Sequence, residues 1–264
     1  MARPPVLILR TAGTNCDEET EFAWERAGAQ PQRVHIRRLI ERPDVLREFA
    51  ALCLPGGFSY GDDIASGKIL ANQLALHLRP AIDALRARGG LVLGICNGFQ
   101  ALVKAGLLPG AGLPRVTLTQ NDSGRFEARW VRLRAESSRC PFLEPGEEFL
   151  LPVAHGEGKL LLDGGADPSA AERGHTALRS AGCTPLRYVQ PDRAGAGYPS
   201  NPNGSQFDLA GLCDPSGRVF GLMPHPERCV QPEQHPDRTR VPSIDTAGLR
   251  LFERAVACLR RDSV

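Results

Sequence analysis

The chain carries no excess of charge of either sign. Its 32 Lys and Arg stand against 30 Asp and Glu, a formal net charge of +2 over 264 residues. That balance removes the electrostatic footprint of a protein that binds nucleic acid or an anionic membrane, so neither is expected as a partner. There is no apolar run near the roughly 20 residues that cross a bilayer. The apolar stretch after Met1-Ala2-Arg3-Pro4-Pro5 is too short for a secretory h-region, and a cytoplasmic location is expected. No two of the eight cysteines have CxxC spacing. A zinc knuckle and a redox dithiol are thereby left out, and no metal site is expected. There is no GxxxxGKS/T pattern to cradle a nucleotide phosphate, and there is no internal repeat.

What is present is an ordinary core supply, 42% hydrophobic with 23% charged residues, with no composition break. A single domain over residues 1–264 is expected. Short continuous apolar runs alternate with helical patterns through the first hundred residues. Val6–Leu9, Arg33–Ile36, Ala51–Leu54 and Leu91–Ile95 read as strands. Asp17–Ala27, a stretch over about Lys68–Arg88 with a break before Pro80, and a short segment from Gly98 read as helices. Continuous apolar strands between helices indicate a parallel sheet covered on both faces. From Thr117 to Leu162 the pattern turns to alternation, clearest in Ala128–Leu133, and predicts antiparallel strands. Residues 163–200, rich in Gly, Pro, Ala and Arg, read as loops, partly mobile. Gly211–Leu222 reads as a hairpin on a Pro-Ser-Gly turn, and Thr246–Leu259 as a helix with Leu249, Phe252, Val256 and Leu259 on one face. The fold class is α/β: an open, mostly parallel sheet flanked by helices, with an antiparallel extension.

Three segments carry chemistry. Gly94-Ile95-Cys96-Asn97-Gly98 follows a buried strand and opens a helix, the logic of a nucleophile elbow with Cys in place of Ser. Small residues on both sides allow the sharp turn, and the amides at the helix start favour the thiolate. Cys16 is the rival nucleophile, but Asp17, Glu18 and Glu19 follow it and oppose thiolate formation. Met223-Pro224-His225-Pro226-Glu227-Arg228 places an acid two residues beyond a histidine. In an extended chain the two side chains share one side, so Glu227 would orient the imidazole while its other nitrogen faces Cys96. Taken alone, the segment fits a solvated turn as well. In Pro55-Gly56-Gly57-Phe58-Ser59-Tyr60-Gly61-Asp62, the Gly pair at a strand end lets backbone amides approach an anion. An amide near Gly57 and the amide of Asn97 would then hold a tetrahedral oxyanion.

These segments, the first continued through Phe99 and Gln100, together with Gly13-Thr14-Asn15-Cys16-Asp17, Leu107-Leu108-Pro109-Gly110, Gln120–Glu127 and Pro152-Val153-Ala154-His155-Gly156-Glu157-Gly158, span most of the chain. Together they resemble the class I (triad) glutamine amidotransferases, and within that class the glutaminase subunits of phosphoribosylformylglycinamidine synthase. The resemblance implies a flavodoxin-like core, with Cys96 as nucleophile, His225 as general acid and base, and Glu227 as its orienter. It also implies Gly57 and Asn97 as oxyanion donors. Gly56, Gln100, His155 and Glu157 become substrate-binding candidates, the last two near the glutamine pocket or a partner interface. Glutamine is the implied substrate, with no cofactor on this chain. ATP and Mg are expected on a large synthetase partner that makes formylglycinamidine ribonucleotide, with a small third subunit in the same complex. A free-standing cysteine hydrolase and a non-catalytic assembly subunit are the alternatives. The segments Arg173–Arg193 and Gln231–Arg240 are more Arg/Pro-rich than such a fold requires and leave the partner surface open.

Overall fold

A computed structural model describes residues 2–136, 139–165, 167–191, 193, 195–240 and 246–262. A nine-stranded sheet organises the chain, in the order β2-β1-β3-β4-β11-β10-β9-β6-β7. Its parallel half comprises β1 (Pro5–Arg10), β2 (Gln30–His35), β3 (Ala51–Leu54), β4 (Leu91–Ile95) and β11 (Val219–Leu222). The antiparallel half adds β6 (Glu127–Ala135), β7 (Glu148–His155), β9 (Leu186–Tyr188) and β10 (Leu209–Cys213). A separate pair, β5 (Val116–Thr119) and β8 (Lys159–Leu162), lies apart from it.

The two halves differ for a reason visible in their residues. Every residue of β3, β4 and β11 is buried, as strands must be when helices cover both faces. Along β7 burial alternates, and every second residue, including Phe149, Leu151, Val153 and His155, is buried. Among the helices, α1 (Asp17–Arg26) follows the loop after β1, and α2 (Ile36–Glu41) begins where the sequence pattern still suggests strand. His35 caps α2 by accepting from the Arg37 amide at 3.2 Å. The expected long helix is divided into α3 (Lys68–Gln73), a π turn over Leu74–Leu78 and α4 (Arg79–Ala87). Pro80, which lacks an N–H, falls in the first turn of α4, where none is needed. Helix α5 (Asn97–Lys104) follows β4 directly. The C-terminal helix Ala247–Asp262 returns to α1, packing Phe252 edge-on against Trp24 with centroids 5.2 Å apart.

The expectation of loops over 163–200 is corrected. Pro168–Ser180 forms a helix, α6, and Leu186–Tyr188 is β9. Asp167 caps α6 by accepting from the Ser169 amide at 2.9 Å, and Pro168 supplies a preset first turn. Ala171, Gly174 and Leu178 make its buried face. Small residues gave that face too weak an apolar signal. Residues 166, 192 and 194, on which part of the mobility expectation falls, lie outside the described residues.

Four loops leave the carboxyl ends of β1, β3, β4 and β11 on the same side of the sheet, where open α/β sheets place their ligands. One packing requirement there is severe. A Cβ on Gly98 would sit 2.0 Å from the Leu54 carbonyl oxygen, because α5 starts directly against β3. Gly98→Ala is expected to destabilise by about 1–3 kcal/mol through overpacking and to lower the melting temperature by roughly 5 °C. A calorimetric scan checks this; an unchanged melting temperature would show that α5 can move away.

Candidate active site

Cys96 stands between β4 and α5 with φ 50° and ψ −105°, a left-handed conformation for a residue with a side chain. Such a backbone costs on the order of 1–3 kcal/mol and persists only where the surroundings enforce it. Here the enforcement is explicit. The Cys96 amide donates to the Leu222 carbonyl at 2.8 Å, extending the β4–β11 ladder into the turn. The thiol donates to the Ala154 carbonyl of β7 at 3.7 Å.

β11 ends at Leu222, and His225 follows three residues later, pinned by its amide to the Pro152 carbonyl at 2.8 Å. His225 Nδ1 and Glu227 Oε1 are 2.6 Å apart, and both side chains are sealed from solvent. The pairing expected from an extended chain is present, but the conformation is not. Pro226–Arg228 is a 3₁₀ turn, started by Pro226 in its first position, and that turn folds Glu227 back onto the imidazole. Burial alone would lower the pKa of His225, but the negative charges of Glu227 and of a Cys96 thiolate outweigh it and hold it well above the ordinary histidine value. The His225 side chain therefore favours the imidazolium.

Cys16 also adjoins this imidazole. Its Sγ donates to Asn15 Oδ1 and accepts from Arg228 Nη2, both at 3.2 Å, and Arg228 is held by Glu19 at 2.7 Å. Burial raises the Cys16 pKa, and a hydrogen bond with His225 opposes it only in part. Gly56 lies beneath the pair: a Cβ there would come 2.8 Å from His225 Cε1 and 3.1 Å from Cys16 Sγ. Gly56 thus packs against the histidine and does not line the cavity. Cys16, His225 and Glu227 bring a thiol, an imidazole nitrogen and a carboxylate oxygen within 4.8 Å of one another. Within this group His225 Nδ1 and Glu227 Oε1 are already bonded to each other.

Gly57 has φ 140° and is enclosed by the backbone of residues 13–15. Neither its amide nor that of Asn97 donates to another group among the described residues, which leaves both available to an anion. The cleft between these elements has a volume of about 240 Å³ and is lined by Gly57, Cys96, Gln100, His155, Glu157 and His225, with Phe58 and Phe126 among its other walls. Of the expected substrate-binding residues, Gln100, His155 and Glu157 are brought together there. His155 is buried, and Asn121 fixes its tautomer. Asn121 Oδ1 accepts from the Gly158 amide at 2.9 Å, while its Nδ2 donates to the Arg125 and His155 carbonyls. The oxygen so oriented faces His155 Nδ1 at 3.1 Å, so Nδ1 carries the proton and Nε2 is a lone-pair acceptor with no partner among the described residues. Burial, reinforced by the charge of His225, pushes the His155 pKa down to about 3. Asn121 and Arg228 were not singled out in the sequence, although both lie in segments that carry the resemblance.

Comparison with known proteins agrees with this arrangement. Residues 3–258 match the model of the CobB/CobQ-like glutamine amidotransferase domain. The PurQ subunit of phosphoribosylformylglycinamidine synthase from Dehalococcoides mccartyi is 45% identical over 99% of this chain and 100% of its own. The PurQ subunit from Rubrobacter xylanophilus is 42% identical over 83% and 87%. Among solved structures, PurLQS from Thermotoga maritima superposes with a TM-score of 0.72 at 32% identity, covering 97% of this chain and 99% of that one. A glutamine amidotransferase from the same organism, at 17% identity and a TM-score of 0.53, shares the fold. The chain belongs to the glutamine amidotransferases of this family, among the PurQ subunits of phosphoribosylformylglycinamidine synthase.

Proposed function

We propose that the chain releases ammonia from glutamine with Cys96 as nucleophile, His225 as general acid and base and Glu227 as its orienter. The ammonia passes to a synthetase that converts formylglycinamide ribonucleotide to the amidine in purine biosynthesis. The observation that carries this reading is the placement of Cys96 and the His225–Glu227 pair at the ends of adjacent parallel strands, β4 and β11. Cys96 leaves its contact with the Ala154 carbonyl, and its thiolate attacks the carboxamide carbon. A C–S bond forms, and the oxyanion takes hydrogen bonds from the amides of Gly57 and Asn97. The imidazolium of His225 gives its proton to the departing nitrogen as the C–N bond breaks. Water, deprotonated by the same imidazole, then cleaves the thioester to glutamate.

Gln100, Glu157 and the free acceptor of His155 fit roles in holding glutamine. A neutral acceptor suits the N–H groups of an amide and disfavours the carboxylate of the glutamate product. ATP and Mg belong to the synthetase in this reading, a small third subunit completes the complex, and the assembly works in the cytoplasm. Among the described residues no helix is long and apolar enough to cross a membrane. Reconstitution with the synthetase tests the whole scheme. The complex carrying Cys96→Ala should make amidine from ammonia and not from glutamine. Glutamine-driven synthesis by that variant would overturn it.

A further inference from the structure

The side chain of Asn97 has no part in the scheme so far, in which only its backbone amide acts. It is 2% exposed and uses both amide hydrogens and a lone pair. Asn97 Oδ1 accepts from the Ser59 amide at 3.1 Å, and Nδ2 donates to Asp62 Oδ1 and to Gln100 Oε1, each at 3.0 Å. The Ser59 donor fixes which end is oxygen. Gln100 in turn donates through Nε2 to the Glu157 carbonyl. Asp62 gathers two further donors, Ser66 Oγ at 2.9 Å and the Gly67 amide at 3.3 Å. One amide therefore joins the nucleophile turn to the segment after Gly57 and, through Gln100, to the segment after His155.

The joined loop needs an anchor. Tyr60, Asp62 and Ile64 all have positive φ, at 57°, 55° and 73°, each a conformation that costs free energy for a residue with a side chain. Phe58 and Ile64 are 46% and 86% exposed, so the outer face contributes little burial. Bonds from the Phe58 and Tyr60 amides to the Gly13 and Ala12 carbonyls fix the loop against the segment after β1. Among the described residues, the hydrogen bonds that fix it against the nucleophile turn are those of Asn97.

We infer that the Asn97 side chain is a positioning residue that sets the spacing between the Gly57 amide and the Cys96–Asn97 turn, and so the geometry of the two-donor oxyanion hole. The inference rests on the glutaminase reading. Its test compares two reactions of Cys96 in the complete complex. Glutamine turnover passes through an oxyanion, whereas alkylation by iodoacetamide is a displacement at a saturated carbon and develops none. Asn97→Ala should lower kcat for ammonia release by about 10²-fold, as misplacing one oxyanion donor does. KM should change far less, and the alkylation rate should stay within about twofold of wild type. Asp62→Ala, which leaves the turn itself intact, should show the same split, and Asp62→Asn, which keeps the acceptor, should restore most of kcat. A kcat for Asn97→Ala within about threefold of wild type would overturn the inference. So would equal falls in turnover and alkylation, the mark of general disorder. Wild-type complex that releases no ammonia would instead remove the glutaminase reading.

Discussion

Cys96→Ala is expected to lower glutamine-dependent ammonia release by about 10⁴-fold or more, the scale on which loss of a covalent nucleophile is felt, whereas Cys16→Ala should cost about tenfold at most. The two thiols flank the same imidazole, so proximity does not separate them. Their other contacts do. Cys16 is engaged by Asn15 and Arg228, burial raises its pKa, and it precedes Asp17, Glu18 and Glu19 in the first turn of α1. The Cys96 thiol makes a weak contact to Ala154 and interacts with His225, and it stands on a strained turn at the start of α5, beside two amides that donate to no group among the described residues. Intact-mass labelling with an electrophilic glutamine analogue reads the difference directly. Wild type and Cys16→Ala should each take one adduct, and Cys96→Ala none. Labelling lost in Cys16→Ala and kept in Cys96→Ala would exchange their roles.

His225→Ala should harm folding as well as chemistry. Glu227 is fully buried, its Oε1 is paired to His225, and its Oε2 has no partner among the described residues. Removing the histidine leaves an uncompensated buried carboxylate, an injury of about 3–5 kcal/mol, or a melting temperature lower by roughly 10 °C. His225→Asn/Glu227→Gln, neutral at both positions, should recover most of that loss while remaining inactive. The pair also gives a pH signature. Because the folded pKa of His225 is raised, its contribution is complete below the unfolded value of about 6.5 and fades as pH climbs through the raised value. Thermal melts against the neutral double variant should therefore show a wild-type margin that shrinks on the alkaline side. A margin that grows with pH would mean that the imidazole is held neutral.

Where one local feature decides the structure, the sequence is enough. β3 and β4 begin and end where their apolar runs do, because a strand buried on both faces has no polar alternative. The turn at Cys96 was legible for a similar reason, since Gly94 and Gly98 mark the close approach of helix and strand. α6 was not legible: its buried face is built of Ala171, Gly174 and Leu178, and its Pro and Gly content imitates a loop. The conformation at His225–Glu227 was misread because extended chain and 3₁₀ turn both bring residues two apart together. The contacts of Asn97, Asn121 and Cys16 could not be read at all. Each is a polar group whose partners come from other loops, and its meaning exists only once those loops meet at the end of the sheet.

The position of β11 between β4 and β10 bears on how the protein matures. Ribosomes deliver Cys96 early, with β4 and α5, and His225 late, on the segment that follows β11. Until β11 seats beside β4, Cys96 lacks both the carbonyl that holds its backbone and the imidazole of His225 beside it. A nascent or partly folded chain thus carries the thiol without the turn that positions it, and the assembled site arrives together with the last central strand. Labelling of position 96 by a glutamine analogue then becomes a clock for completion of the sheet, and fragments ending before β11 should take no glutamine-selective adduct however well their first half has folded.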